Sequence, residues 1–226
     1  MTTEMTTGTS PATTTLPTAD QTPGQAPFRR TLRSSITSGA RRAVLARWPG
    51  LEQVWEDRDV NSGWGMPGFQ AVATARLGAY AESDAAPRWA QPVLRRLGRG
   101  AFMAVRGIYG IELPHTVTLG RRVRIAHQSG IVIHPNAVIG DDCVIRQNVT
   151  LGAGRGDDLL FARQAPQLGT GVSIGANAVV LGNVRIGDGA TIGPNATVMT
   201  HVPAGATVLA PAPRVLRRPV TGSGQA

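Results

Sequence analysis

The sequence predicts a mainly β protein, a parallel β-helix preceded by an α-helical cap. Apolar residues return every six positions from Ile133 through Ile139 and Ile145 to Leu151. They do so again from Leu168 through Ile174, Val180, Ile186 and Ile192 to Val198. Gly commonly follows, in Val-x-Ile-Gly and Ala-x-Ile-Gly units that fit short strands ended by tight turns. An internal period of this kind marks a repeat architecture. With one aliphatic per strand pointing inward, three hexads close one triangular coil, and each coil buries its neighbour's aliphatic stack.

Residues 1–34 are a Thr-, Pro- and Gly-rich stretch with almost nothing to bury, expected to be a disordered tail. Residues 35–109 read as a helical domain. Ala40–Trp48 is a short amphipathic run stopped by Pro49-Gly50, and Leu51–Arg58 has acids and apolar residues at helical spacing. Pro67 sits where a helix starts, and Gly68–Ala81 places Phe69, Val72, Ala73, Leu77 and Tyr80 on roughly one face. A last helix over Pro87–Tyr109 carries Trp89, Val93, Leu94, Leu97, Phe102, Val105 and Ile108, with Gly98 and Gly100 expected to bend or split it. Every Trp and Phe here is expected in the core, and the helices are expected to cap the first coil. Residues 110–213 form the β-helix, and 214–226 a second tail.

The six-residue beat breaks twice. Ile125 and Ile133 are eight apart, and His127 lies in that bulge; Leu151 and Leu168 are seventeen apart, so a loop of roughly Gly154–Gln164 leaves the coil. Repeat proteins place insertions on one face, often the binding face.

The chain has 226 residues and a net charge of +9, with arginine as its only strong base. The arginines are scattered and aromatics form 4% of the chain, so neither nucleic acid nor a membrane is expected as a partner. Positive charge instead favours an acidic small molecule such as a phosphate-bearing cofactor. The single Cys143 excludes an internal disulfide, in keeping with a cytoplasmic location, and a coil-corner packing role is expected for it. His134 is expected at an exposed corner beside Pro135, with His115 and His201 incidental.

The run GIELPHTVTLGRRVRIAHQSGIVIHPNAVIGDDCVIRQNVTLGAG, followed by VSIGANAVVLGNVRIGDGATIGPNATVMTHVPAGATVLAPAPR, resembles the serine acetyltransferase branch of the hexapeptide-repeat acyltransferases. The resemblance spans Gly110–Arg214, and Arg58-Asp59 and Gly68–Ala71 extend it into the helical region. It implies a left-handed β-helix, acetyl-CoA as co-substrate, no metal, and acetyl transfer to the hydroxyl of serine or a related small hydroxy amino acid. It also implies a homotrimer or dimer of trimers, with active sites between adjacent β-helices. His127 falls on the family's catalytic histidine, and Glu112 where the family keeps an acid for pairing with it. An alcohol is a poor nucleophile at neutral pH, and a positioned imidazole that takes its proton contributes about 10²–10⁴-fold. Gly152, Ala153 and Ala176 match positions lining the acetyl-CoA channel, and Arg214 is the candidate for the nucleotide phosphates. Asp59, Arg163 and Gln164 fall on substrate-binding positions. Two departures bear on the acceptor: Ala126 stands where the family has a serine-binding Asp, and Gln164 where it has a His. A sugar or another small alcohol is therefore an alternative acceptor. Two other readings are a zinc enzyme of the γ-carbonic-anhydrase kind, which needs three converging histidines, and a non-catalytic β-helix scaffold.

Overall fold

The structure, a computed structural model, describes residues 51–154, 164–214 and 216. The expected first tail, the Ala40–Trp48 helix, most of the external loop and the last residues lie outside that set. Three helices come first: α1 (Leu51–Val60), α2 (Pro67–Glu82) and α3 (Gln91–Tyr109). Short strands follow: β1 (Ile111–Glu112), β2 (Thr118–Leu119), β3 (Arg124–Ala126), β4 (Ile131–Ile133) and β5 (Val138–Ile139). Next come β6 (Val144–Arg146), β7 (Thr150–Gly152), β8 (Gln167–Leu168), β9 (Ser173–Ile174) and β10 (Val179–Leu181). The last are β11 (Arg185–Ile186), β12 (Thr191–Ile192), β13 (Thr197–Val198) and β14 (Thr207–Val208).

All pairing is parallel, and as far as β13 every third strand stacks on the same face; before β14 the sheet-B position is only an isolated bridge, Val202 to Ile186. Sheet A runs β1-β4-β7-β10-β13, sheet B β2-β5-β8-β11, and sheet C β3-β6-β9-β12-β14. The chain is thus a three-sided β-solenoid. The hexad aliphatics are its interior: Ile125, Ile145, Ile174 and Ile192 stack in register down sheet C, and Leu151, Val180 and Val198 down sheet A. Those side chains are buried. Glycine follows the aliphatic because coils approach closely there. A Cβ on Gly140 would lie 2.5 Å from the carbonyl oxygen of Gly169 in the next coil.

The corner between sheets C and A is built differently. Asn148, Asn177 and Asn195 occupy it with φ of 57°, 61° and 59°, in the left-handed region that Asn tolerates better than most residues. Their side-chain amides form a ladder, Asn148 Nδ2 to Asn177 Oδ1 at 2.9 Å and Asn177 Nδ2 to Asn195 Oδ1 at 3.1 Å.

Helices α2 and α3 pack on the first coil. α3 is continuous through Gly98 and Gly100, against the expectation of a break. Gly98 is where the helix crosses α2: a Cβ there would be 3.5 Å from the Cα of Gly78, so the glycines permit close approach. The helix starts at Gln91 rather than Pro87, because Pro87–Ala90 forms a separate turn closed by Ala90 N–H to Pro87 O at 2.8 Å. It ends at Gly110, whose left-handed conformation (φ 63°) reverses the chain into β1. The expectation that every Trp and Phe is core fails in the turn before this helix. Phe69 is buried, but Trp89 is 83% exposed, and Val93, Leu97 and Ile108 also face outward. Only part of the apolar surface of α3 is used against α2 and the coil.

Candidate active site

Asn61, just past α1, fastens the helices to the coil that carries His127. It is buried, its Nδ2 donates to Val123 O at 2.9 Å, and its Oδ1 accepts from Ile125 N–H at 2.9 Å. Arg121 adds a fork to Glu56 of α1 at 2.8 and 2.6 Å. Two residues beyond Ile125 the chain leaves sheet C in the expected bulge. His127, Ser129 and Gly130 there have φ of 69°, 90° and 64°. A Cβ on Gly130 would come within 2.1 Å of Asn148 Oδ1, so only glycine fits the end of the bulge. His127 is exposed at this corner. A non-glycine residue in the left-handed region is uncommon, but the ladder asparagines share it, so the conformation marks the bulge and not by itself a function.

Glu112 lies on β1, beside Val132 of the strand that the His127 bulge feeds. Its carboxylate pairs with Arg106 Nε of α3 at 3.2 Å, and no hydrogen bond or ion pair joins it to His127. The sequence reading missed Arg106. Its signal was the Gly110 cap, which turns the last helical turn back over the first strand. Asp59 of α1 is bonded to Arg58 Nη1 at 2.9 Å, and that guanidinium sits over the rings of Trp55 and Trp64, 5.6 and 5.7 Å from their centroids.

The residues expected to line an acetyl-CoA channel lie at two edges of sheet A. Gly152 ends β7 at the corner between sheets A and B, paired with Leu181, and Ala153 follows it. Ala176 lies at the opposite edge of sheet A, next to Asn177 of the amide ladder. Gln164 returns beside Gly154, where a Cβ would be 3.0 Å from Gln164 Oε1, so the two ends of the external loop meet. Arg163 lies outside the described residues. Arg214 is exposed beyond β14.

The remaining candidates have structural surroundings. Cys143 is buried, its Sγ lies 3.1 Å from Gly169 O, and burial pushes its thiol up to about 11. His134 is not at an exposed corner; it is 4% exposed, and its Nδ1 accepts from Asn136 N–H at 3.0 Å. His201 Nδ1 accepts from Arg185 N–H at 2.9 Å. Among the described residues no three His, Cys, Asp or Glu side chains come together as a metal site. No helix among them is long and apolar enough to cross a membrane. A cleft of about 920 Å³ lies between α2, α3 and the first coil, bordered by Glu112, His115, Arg96 and Arg99.

Residues 165–199 match the model of the bacterial transferase hexapeptide (six repeats). The putative colanic acid biosynthesis acetyltransferase WcaB of Escherichia coli K12 is 40% identical over 129 residues, 56% of this chain and 74% of that protein. This chain belongs to the hexapeptide-repeat acetyltransferases. Within that family it is also 35% identical over 152 residues to the serine acetyltransferase of Synechococcus elongatus, covering 67% of this chain and 58% of the relative. The crystal structure of serine acetyltransferase from Vibrio cholerae superimposes with a TM-score of 0.60 at 27% identity, covering 75% of this chain and 66% of that one. This acetyltransferase-family chain thus spans under two thirds of both serine acetyltransferases, and about three quarters of WcaB.

Proposed function

We propose that this chain is an acetyl-CoA-dependent O-acetyltransferase with His127 as its general base. The observation that carries the reading is the placement of His127: an exposed imidazole at a bulged corner of the solenoid, in a family of acetyltransferases. The neutral imidazole takes the proton of an acceptor hydroxyl as its oxygen attacks the thioester carbonyl carbon. The tetrahedral intermediate collapses with cleavage of the C–S bond, and the imidazolium returns the proton to the CoA sulfur. Glu112, one strand away, supplies negative charge that favours the imidazolium; Arg106 competes for the same carboxylate.

The separation of Gly152 and Ala153 from Ala176 across sheet A supports a site shared between copies. In a homotrimer the corner of one solenoid faces a channel completed by the next, with Arg214 reaching the phosphates of acetyl-CoA. The acceptor is a hydroxyl compound, serine in the relatives named for it. Ala126 and Gln164 stand at expected serine-binding positions without the expected groups, and this favours a sugar hydroxyl as the second reading. The test is CoA release from acetyl-CoA, wild type beside His127→Ala, with serine, homoserine, threonine and sugars as acceptors. Turnover abolished in the variant supports the base. No turnover with any acceptor and no CoA binding refutes the enzyme reading and leaves the scaffold.

A further inference from the structure

Ala126 and Arg146 are Cα partners on the adjacent parallel strands β3 and β6. Their neighbours Ile125 and Ile145 point into the core, so strand alternation turns Ala126 and Arg146 outward, one residue short of the His127 bulge. Arg146 Nη1 donates to Ser173 Oγ at 3.0 Å and to Ile174 O at 3.3 Å, which pins the guanidinium against the next coil. Its Nε and second terminal nitrogen make no further hydrogen bond among the described residues. On the following residue, Gln147, the buried Oε1 has no hydrogen-bond partner among the described residues. The two carboxylates expected at the site are already committed, Asp59 to Arg58 and Glu112 to Arg106. An ammonium group at this corner therefore meets a fixed guanidinium and no uncommitted carboxylate. A carboxylate or phosphate meets a pre-positioned fork of donors, the geometry guanidinium groups bind best. In the cleft beside the cap, Arg96 and Arg99 stand next to Glu112 and carry no ion pair among the described residues.

We infer that Arg146 is a specificity-determining residue that binds an anionic group of the acceptor, and that the acceptor is an acidic sugar, carboxylated or phosphorylated, rather than an amino acid. This rests on the O-acetyltransferase reading of the His127 corner. Ala126 removes the carboxylate that would hold an ammonium, and Arg146 beside it reverses the charge offered to the acceptor.

The full chain is assayed for CoA release with four acceptors: D-glucuronic acid, D-glucose 1-phosphate, methyl glucoside and L-serine. One of the two anionic sugars is expected to exceed both methyl glucoside and serine at least tenfold in kcat/KM; which one tells carboxylate from phosphate. Arg146→Gln is expected to raise KM for that sugar at least tenfold and to bring the anionic-to-neutral ratio towards one, with Arg146→Lys restoring part of the preference. Serine or methyl glucoside as the best acceptor overturns the inference and leaves the acetyltransferase standing. An equal loss for all acceptors in Arg146→Gln overturns it as well, because that is the signature of a structural role. If the Gln variant does not fold, the wild-type panel and the Lys variant decide. Absence of CoA binding and of any turnover above His127→Ala sinks this inference together with the activity it rests on.

Discussion

Replacing Asn61 by Ala tests whether the helical cap holds the His127 corner in place. The side chain is 4% exposed and makes three hydrogen bonds, to Asp57 O, Val123 O and Ile125 N–H, at 2.8, 2.9 and 2.9 Å. The last two cross from helix to coil. Truncation removes them and leaves a buried carbonyl and a buried N–H without partners, each costing about 1–3 kcal/mol before relaxation. Allowing for water entering the gap, the loss is about 2–4 kcal/mol. In a protein of this size each kcal/mol lowers Tm by about 2–4 °C, so a fall of about 4–16 °C is expected. Thermal unfolding followed by far-UV circular dichroism measures it. Because Ile125 is two residues before His127, kcat/KM is expected to drop as well, at temperatures where the variant is still folded. A Tm within about 1 °C of wild type would refute the reasoning, since a hydrogen-bonded junction of this kind cannot be both the anchor and dispensable.

Other perturbations have directions fixed by the same geometry. Gly130→Ala forces a side chain into a left-handed backbone 2.1 Å from Asn148 Oδ1, and is expected to lose activity more than Tm, as measured by CoA release beside thermal melts. Cys143 is expected to resist thiol-specific labelling at pH 8 until the protein is unfolded, because the thiol is buried and its pKa is pushed up to about 11; rapid native labelling would contradict that burial. Asp142 is held below the ordinary carboxylate range by its two bonds to Arg122, at 2.6 and 2.7 Å. Its contribution is therefore present above about pH 4, and is lost as pH falls through the lowered value in the folded state. Asp142→Asn is expected to flatten the acid limb of a stability-against-pH curve, with little change at neutral pH beyond loss of the pair.

The solenoid was legible because its signal is periodic and redundant. Ile139, Ile145, Leu168, Ile174, Ile186 and Ile192 each repeat the same local instruction, and every one is buried in the register the hexads imply. The bulge at His127 was legible for the same reason, as a departure from a known beat. What stayed hidden depends on contacts between elements of different period. An amphipathic α3 reads alike whether its whole apolar face is covered or only half, so Val93, Leu97 and Ile108 stand exposed, as does Trp89 in the turn before it. The pairing of Glu112 with Arg106 depends on how Gly110 turns the helix into the first strand. Asn61 carries no pattern at all; its importance comes from a coil sixty residues further on. His134 defeated expectation because a corner beside Pro135 can fold its side chain inward onto its own backbone turn.

The bulge has a consequence for how such a site can arise. Aligned core positions in consecutive coils are eighteen residues apart, as Val180 and Val198 are, but twenty apart across the bulge, as Ile125 and Ile145 are. The surplus is accommodated entirely outside the aliphatic stack, which continues in register through it. Scaffold and chemistry are therefore separable inheritances: a two-residue insertion can add a reactive corner to a working solenoid, and its excision can take the corner away without disturbing the core. A lineage built on this plan is free to change what it acts on at the corners while leaving its interior untouched.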